Sequence, residues 1–200
     1  MEHYSGRLKA LPERQTKETD VVVELKLDGS GIPNITTGIP FFDHMLTLFT
    51  VHGLFDLFVN ARGDIEIDYH HTVEDIGICL GEAFNKALGK KEKIKRYGEA
   101  KVPMDEALAQ ITLDISGRPH LTCNIPQIED KVGQFDTELV EEFFQAFVNN
   151  SGMTLHINLI SGKNSHHIIE AVFKAFARAL DAATLLDPRV SGIPSTKGAL

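Results

Sequence analysis

The sequence has few of the features that mark secreted, membrane or nucleic-acid-binding proteins. It contains only two cysteines, Cys79 and Cys123, and they are not in a C-x-x-C spacing. A disulfide framework and a thiolate metal site are therefore both disfavoured, and a cytoplasmic location is expected. No apolar run approaches the roughly 18 residues of a membrane helix, and residues 1–20 carry no apolar signal-peptide core. The net charge of −8 argues against nucleic acid or an anionic membrane as the main partner.

Histidine, in contrast, is concentrated in two short motifs. Four of the nine histidines stand in adjacent pairs, and each pair is followed three residues later by a glutamate. The first motif, HHTVE, covers residues 70–74, and the second, HHIIE, covers residues 166–170. The two motifs are 96 residues apart, and the elements predicted around them occur in the same order.

The predicted elements of the first half alternate between strands and helices. Glycine, proline and asparagine bound the apolar runs, and the helical segments have apolar residues at spacings of three and four. The pattern predicts strands over 14–28, 34–39 and 54–60, a further short strand over 64–68 that pairs across Arg62-Gly63, and helices over 41–53 and 71–88, with Gly53 as a C-cap.

The second half repeats this order. Two strands over 105–125 are joined at residues 117–119, a helix over 137–152 has Thr137 as N-cap, and a strand over 153–160 precedes a helix over 165–183 capped by Ser165. We therefore expect one domain over residues 1–200, of the α/β (α+β) class, with internal repeats at about 14–98 and 105–187.

The doubled motif is suited to metal binding. A helix turns by about 100° per residue, so neighbouring histidines diverge and can address two different metals. Imidazole and carboxylate without thiolate favour Mn, Fe, Co, Ni or Zn. Histidines on one helix can also be surface or core residues. A glutamate near the start of a helix can be present only because its charge interacts favourably with the helix dipole. The candidate ligands are His44, His70, His71, Glu74, Glu142, His166, His167 and Glu170. They suffice for two sites, within one chain or shared between subunits.

Several longer motifs together resemble the imidazoleglycerol-phosphate dehydratases of histidine biosynthesis. These motifs are PFFDHML, DYHHTVEDIGICLGEAF, LDISGRP, GMTLHI, KNSHHIIEAVFKAFARAL and PSTKGAL. The resemblance runs from about residue 4 to residue 200, and it matches the form without a fused phosphatase domain. It implies two similar halves, each a four-stranded sheet with two helices on one face. It also implies a homo-oligomer of 24 copies, with two manganese ions per subunit bound where subunits meet.

The reaction implied by the resemblance removes water from imidazole-glycerol phosphate to give imidazole-acetol phosphate. A metal on a ring nitrogen acts as a Lewis acid and stabilises an imidazolate. This imidazolate expels the hydroxyl through a diazafulvene-like intermediate, a base removes the neighbouring proton, and the enol becomes the ketone. No redox cofactor is required.

The resemblance also assigns residues to this reaction. Glu18 corresponds to the family's acid–base glutamate, and His52 and Asp105 lie in matching motifs. The phosphate-binding positions are Arg96, Arg118, Ser195 and Lys197. Two positions depart from relatives, because Glu142 stands where several have histidine and Leu48 where some have glutamine.

Two other interpretations of the histidine motifs remain open from the sequence. The metals could be structural and only join subunits, in which case Glu18 would have no catalytic role. Alternatively, a hydrolase could use a bridged pair of metals about 4 Å apart.

Overall fold

The first half of the chain forms one mixed sheet with two helices. The computed structural model describes residues 12–126 and 128–200; residues 1–11, part of the segment assessed for a secretion signal, and Gln127 lie outside the described residues. The sheet has the order β1-β2-β4-β3, in which β3 is parallel to β4 and the other pairs are antiparallel. Its elements are β1 (Glu13–Gln15), β2 (Thr19–Lys26), β3 (Pro33–Thr36), α1 (Pro40–Gly53), β4 (Asp56–Gly63) and α2 (His70–Leu88).

The second half has the same arrangement. Its sheet has the order β5-β6-β10-β7, again with one parallel pair, β10 with β7. Its elements are β5 (Tyr97–Met104), β6 (Ala107–Asp114), β7 (His120–Asn124), α3 (Leu139–Ser151), β10 (Thr154–Ser161) and α4 (Ser165–Thr184), with a small hairpin of β8 (Lys131–Val132) and β9 (Phe135–Asp136) before α3. The predicted fold of two similar halves, each a four-stranded sheet with two helices, is confirmed.

The four helices lie between the two sheets and join them through a common core. In the first half α2 packs on β2 and β4, and in the second half α4 packs on β5 and β6. Between the halves, α2 packs against α3 and α1 against α4. The apolar side chains predicted for α1, Phe42, Met45, Leu46 and Phe49, are all buried in one core that spans both halves. Helices α2 and α4, which carry the two histidine motifs, are therefore each held by their own sheet and by a helix of the other half.

Two glycines let α2 and α3 approach closely. A Cβ at Gly77 would lie 2.8 Å from the carbonyl oxygen of Phe143, and one at Gly81 would lie 2.6 Å from that of Phe147. Real Cβ atoms do not tolerate such distances from backbone atoms, so α2 requires glycine at these positions. The equivalent positions of α4, 96 residues later, are Phe173 and Ala177.

Two strand predictions are corrected by the backbone pairing. The single strand predicted over 14–28 is a hairpin, because the chain turns at residues 16–18 and Gln15 pairs with Asp20. The strand predicted over 64–68 is a turn closed by Ile67 N–H donating to Asp64 C=O at 2.8 Å. No chain reversal occurs at Arg62-Gly63, since both residues still pair with β2. Strand β5 is not among the strands predicted from the sequence.

The predicted helix caps are also corrected. Helix α1 ends at Gly53, but its cap is Leu54, in the left-handed region. Thr137 Oγ1 donates to the Glu129 carbonyl at 2.8 Å, so it holds a loop rather than the start of α3. Helix α4 is capped by Asn164, whose side chain accepts from two backbone N–H groups, whereas Ser165 Oγ accepts from Glu129 N–H. Within the described ranges, no helix is both long and apolar enough to span a bilayer.

Candidate active site

Three of the predicted metal ligands meet where α1 packs on α4. Nε2 of His44 lies 2.8 Å from Oε1 of Glu170, and Nε2 of His166 lies 3.0 Å from the same oxygen. His166 and Glu170 are one helical turn apart on α4, and α1 brings His44 from the other half of the molecule. We call these three side chains the α1–α4 cluster. Elsewhere in residues 12–126 and 128–200, no other three candidate ligand side chains have their donor atoms this close.

The spacing of the α1–α4 cluster fits a metal ion. Ligands about 2.1 Å from one ion and at right angles to each other lie about 3 Å apart. The separations of 2.8 Å and 3.0 Å from Glu170 match that value, and all three donor atoms lie within 4.8 Å of one another. Two imidazole nitrogens and one carboxylate oxygen form a donor set for Mn, Fe, Co, Ni or Zn. The side chains of His44 and His166 are 44% and 42% exposed, so further ligands can reach the ion from the open side.

Glu170 is the buried member of the cluster, with a side chain only 8% exposed. Burial by itself raises the pKa of this carboxyl, but hydrogen bonds from Lys174, His44 and His166 outweigh it and lower the pKa to about 2. Lys174 Nζ donates to Oε2 at 2.5 Å, which leaves Oε1 to face the two imidazoles. The carboxylate is therefore negatively charged over the whole physiological pH range, as a metal ligand must be.

The second histidine of each motif is oriented by a carboxylate. Nδ1 of His71 lies 3.0 Å from Asp64, and Nδ1 of His167 lies 2.8 Å from Glu106. These contacts raise the pKa of both histidines, and the bond from His167 lowers the pKa of Glu106 to about 2. A metal-ligating histidine usually donates its other ring N–H to a carboxylate in this way. Nε2 of each ring is left for a ligand role.

The two histidines of each motif diverge as helical geometry predicts. The rings of His70 and His71 are inclined by 88°, and those of His166 and His167 by 82°. The two imidazole rings of each motif are therefore oriented differently.

The remaining predicted ligands are not gathered in the same way. Glu142 occupies the place on α3 that His44 occupies on α1, and it is exposed in the first turn of its helix. His70 and Glu74 are half-buried at the start of α2. The counterpart of the α1–α4 cluster, Glu142 with His70 and Glu74, is not assembled into a three-ligand group in the described chain.

Glu18 lies at the tip of the β1–β2 hairpin, beside the first histidine motif. Its backbone N–H donates to Thr16 Oγ1 at 3.0 Å, and its carbonyl accepts from Asp64 N–H at 3.1 Å. The side chain is 57% exposed, with Oε2 3.9 Å from Nδ1 of His71. The backbone is thus fixed while the carboxylate remains available to a ligand.

The four predicted phosphate-binding residues line one cavity, which we call the basic cavity. Its volume is about 590 Å³, and its wall contains Arg96, Arg118, Ser195 and Lys197, with no acidic side chain among the described lining residues. Arg96 makes a two-pronged contact with Asp114, at 2.7 and 3.0 Å, and donates to the Pro194 carbonyl at 2.9 Å. Arg96 therefore fixes the segment that carries Ser195. Arg118 lies 3.9 Å from Oδ2 of Asp114, but its side chain is 65% exposed and can also meet an anion.

The basic cavity and the α1–α4 cluster lie at opposite ends of α4. Arg96 N–H donates to Ala183 C=O near the end of this helix, while Glu170 is close to its start. At about 1.5 Å per residue, these positions are about 20 Å apart along the axis.

Three further positions noted in the sequence also lie near these groups. Burial, followed by the charges of Lys174 and Arg178, lowers the pKa of His52. Oδ2 of Asp105 lies 3.8 Å from Nε2 of His167. Leu48 is partly buried against the core, so it offers no polar contact.

Comparison with known proteins places the chain in a family. Residues 37–180 match the family Imidazoleglycerol-phosphate dehydratase. The imidazoleglycerol-phosphate dehydratase of Geobacter metallireducens is 59% identical over 96% of this chain and 98% of its own length. That of Thermoanaerobacter pseudethanolicus is 61% identical over 96% and 99%. The chain belongs to the imidazoleglycerol-phosphate dehydratase family. A crystal structure of the Staphylococcus aureus protein superposes with a TM-score of 0.82, at 44% identity over 90% of this chain and all of that one.

Membership in the imidazoleglycerol-phosphate dehydratase family makes the chain an enzyme, a hydro-lyase of histidine biosynthesis. The sequence did not reveal the roles of Asp64, Glu106 and Lys174, which hold other site residues. Asp64 was not recognised because the strand predicted over residues 64–68 is wrong. Glu106, however, immediately precedes β6 as Glu18 precedes β2, so aligning the halves at these strands would have identified it.

Proposed function

We propose that the chain converts imidazole-glycerol phosphate into imidazole-acetol phosphate, with two manganese ions per subunit. The observation that carries the proposal is the α1–α4 cluster, whose three donor atoms are spaced for one metal in a hydro-lyase. His44, His166 and Glu170 would hold one ion. The second histidines, His71 and His167, support further coordination because a carboxylate holds Nδ1 of each ring and Nε2 is the remaining donor. When bound, the metal polarises the imidazole ring of the substrate as a Lewis acid.

In this proposal Glu18 carries the proton. Its carboxylate is exposed and stands on a fixed backbone beside His71. Removal of the hydroxyl requires loss of a proton from the neighbouring carbon, and an exposed carboxylate can accept it. Glu18 then gives this proton to the carbon that lost the hydroxyl. The enol O–H proton is released as the ketone forms and completes the departing hydroxide as water, so that the side chain ends the cycle in its starting state.

The basic cavity binds the phosphate group. Arg96, Arg118 and Lys197 supply three positive charges, and Asp114 neutralises one of them through its contact with Arg96. The remaining charge suits a phosphate dianion. Arginine's planar fork matches phosphate oxygens, and Ser195 adds a neutral donor.

The separation of about 20 Å along α4 supports a site shared between subunits. A substrate of one imidazole ring, one glycerol chain and one phosphate is far shorter than this distance. The cluster of one copy and the basic cavity of another would therefore act on the same molecule. We propose a large homo-oligomer, of 24 copies as the family resemblance implies, located in the cytoplasm. Sedimentation of the manganese-loaded protein, with a subunit mass of 22.1 kDa, measures the assembly.

The reaction can be tested directly. Purified, manganese-loaded protein is incubated with imidazole-glycerol phosphate, and the ketone product is detected by mass spectrometry. Product formation is expected, and the same protein stripped of metal serves as the control. An assembled, metal-replete protein that forms no product would contradict the proposal. The alternative of a purely structural metal predicts unchanged behaviour on Glu18→Gln substitution, whereas a catalytic Glu18 predicts lost turnover with metal content intact.

A further inference from the structure

A buried carboxylate on α2 is attached to both sides of the turn that carries Glu18. Asp75 is only 6% exposed. Arg14, in β1, donates from Nε to its Oδ1 at 2.6 Å, and Thr19, the first residue of β2, donates from Oγ1 to its Oδ2. A buried carboxylate is costly unless it is paired and hydrogen-bonded, and here both oxygens have partners.

The other contacts of the turn between these two partners are made within the turn itself or with the end of β4, where Asp64 N–H donates to the Glu18 carbonyl at 3.1 Å. Thr16 Oγ1 accepts from the N–H groups of Glu18 and Thr19, at 3.0 and 2.9 Å, which closes the turn on itself. Strand β1 has only three residues and lies at the edge of its sheet. A short hairpin at a sheet edge is readily displaced, so its attachment to a helix adds to the backbone contact with Asp64 in placing Glu18.

Helix α2 is a suitable support for this turn because it also carries the first histidine motif. Asp75 follows Glu74 directly, and a helix turns by about 100° per residue. Asp75 is therefore buried against the β1–β2 hairpin, while Glu74 and His71 remain partly exposed. One rigid element therefore connects the turn that carries Glu18 to His71.

The second half lacks this anchor and does not need it. The residue of α4 equivalent to Asp75 is Ala171, which is fully buried. Glu106, the counterpart of Glu18, accepts from the backbone N–H groups of Lys163 and Asn164, at 3.2 and 2.8 Å, and from His167. A carboxylate fixed by its own hydrogen bonds requires no support for its turn.

We infer that Asp75 is a positioning residue: through Arg14 and Thr19 it fixes the hairpin turn and thereby places the Glu18 carboxylate for proton transfer. The inference rests on the proposed function, in which Glu18 moves the proton. Asp75 is not itself a candidate ligand, because both of its oxygens are bonded to Arg14 and Thr19.

The test measures kcat, KM and bound manganese for Asp75→Asn, with and without Glu18→Gln, in the assembled protein. A misplacement of about 1 Å can cost about 100-fold in rate, so we expect kcat to fall about 10- to 100-fold while KM stays within about twofold. Bound manganese is expected to be unchanged. In the Glu18→Gln background, Asp75→Asn is expected to cause no further loss, because it acts through Glu18.

A second measurement is independent of turnover. In Asp75→Asn, the amide hydrogens of Glu18 and Thr19 are expected to exchange about tenfold faster, while those of the α2 interior are unchanged. Thr19→Val and Arg14→Ala release the same anchor one side at a time, and they replace Asp75→Asn should that variant fail to fold. The matched control is Glu82→Gln, an exposed carboxylate on α2 paired with Lys86, which is expected to leave every readout unchanged.

The outcomes separate this inference from the proposed function. Full turnover in Glu18→Gln would contradict the catalytic role of Glu18. Lost turnover in Glu18→Gln with wild-type kcat in Asp75→Asn would overturn the positioning role alone. An equal loss of kcat from Asp75→Asn in both backgrounds, or a loss of bound manganese, would also overturn it, because either result indicates a general structural effect.

Discussion

Glu18 and Glu106 occupy equivalent places in the two halves, one residue before β2 and one residue before β6, yet their carboxylates have different surroundings. Glu106 is hydrogen-bonded to the ring of His167. In the first half Asp64 takes over this contact with His71, and Glu18 is left exposed. The backbone arrangement is the same in both halves. In the first half, however, Asp64 orients the histidine, so the Glu18 carboxylate does not have to. We therefore expect residues that differ between the halves to mark the proton-transfer step, and repeated residues to mark the metal ligands.

The C-terminal ends of β2 and β6, at Lys26 and Asp114, also differ between the halves. Asp114 in the second half contacts Arg96 and helps to form the basic cavity. The equivalent residue of the first half, Lys26, pairs with Asp56 at 3.0 Å. Asp56 also accepts from the N–H groups of Ser30 and Ile32, so this corner is closed on itself. One corner therefore borders the basic cavity, whereas the other is closed by its own hydrogen bonds.

The largest expected effect comes from removing the charge of Glu18. Glu18→Gln is expected to lower kcat by about 10²- to 10⁴-fold, the usual contribution of general acid–base catalysis, with manganese content unchanged. Steady-state kinetics with metal analysis of the same samples provides the measurement. Retention of more than about a tenth of the wild-type kcat would show that the exposed glutamate has no special role.

Glu106→Gln is expected to act on metal binding instead. The change weakens the acceptor for His167 Nδ1, and loss of such an orienting partner typically costs about 10- to 100-fold in metal affinity. Competition with a chelator measures the affinity, and kcat at saturating manganese is expected to stay near the wild-type value. Asp64→Asn is the matched variant in the first half. The comparison fails if Glu106→Gln reproduces the kinetic defect of Glu18→Gln at full metal occupancy.

The helix contacts provide a third comparison. Gly81→Ala places a Cβ against the carbonyl of Phe147, and overpacking of this kind costs about 1–3 kcal/mol. The reverse change at the equivalent position of α4, Ala177→Gly, is expected to cost only about 1 kcal/mol from helix propensity and a small lost contact. Urea unfolding at a fixed subunit concentration gives both values. A stabilised Gly81→Ala protein would refute the tight contact between α2 and α3.

The smallest expected effect is pH-dependent. The hydrogen bond from Ser30 N–H, helped by Lys26 and Ile32, lowers the pKa of Asp56 below its ordinary value. A lowered folded-state pKa stabilises the protein fully above the unfolded value of about 3.9, and the contribution is lost as pH falls through the folded-state pKa. Asp56→Asn is therefore expected to cost about 1 kcal/mol near pH 7, and this difference should shrink on acidification below about pH 4.

The control for this comparison is Thr154, which occupies the position of Asp56 in the second half. Its hydroxyl lies 3.1 Å from Ser116 Oγ and from the Arg118 carbonyl, and none of these groups titrates. Thr154→Val is expected to cost a similar free energy of unfolding at every pH in the series. Parallel pH curves for the two variants would show that Asp56 does not contribute through its charge.

The sequence predicted the repeated order of elements because the apolar spacings and the glycine stops are local. It could not predict where the hairpin before β2 turns, because Thr16 and Glu18 lie within a run of polar residues without glycine or proline. The position of Asp64 was missed for a related reason: isoleucines alternate in residues 64–68, yet Ile65 and Ile67 are exposed in a turn. Alternation indicates a strand only when a partner strand is present.

The candidate site was predictable to a similar degree. The doubled motif indicated the ligand types, but which helices would meet depended on packing between the halves. Only the fold places His44 beside His166 and Glu170 while leaving Glu142 apart. Glu106 contacts a residue 61 positions away in the chain, and Asp75 contacts residues 61 and 56 positions away. No local sequence pattern contains such contacts.

The length of α4 has a genetic consequence. If the cluster of one copy works with the basic cavity of another, an allele damaged at Glu170 and an allele damaged at Arg118 carry different halves of the same site. Neither protein alone would support growth without histidine, yet a cell that makes both would assemble some intact sites from the undamaged parts of each. Two such alleles would then complement one another within a single gene product.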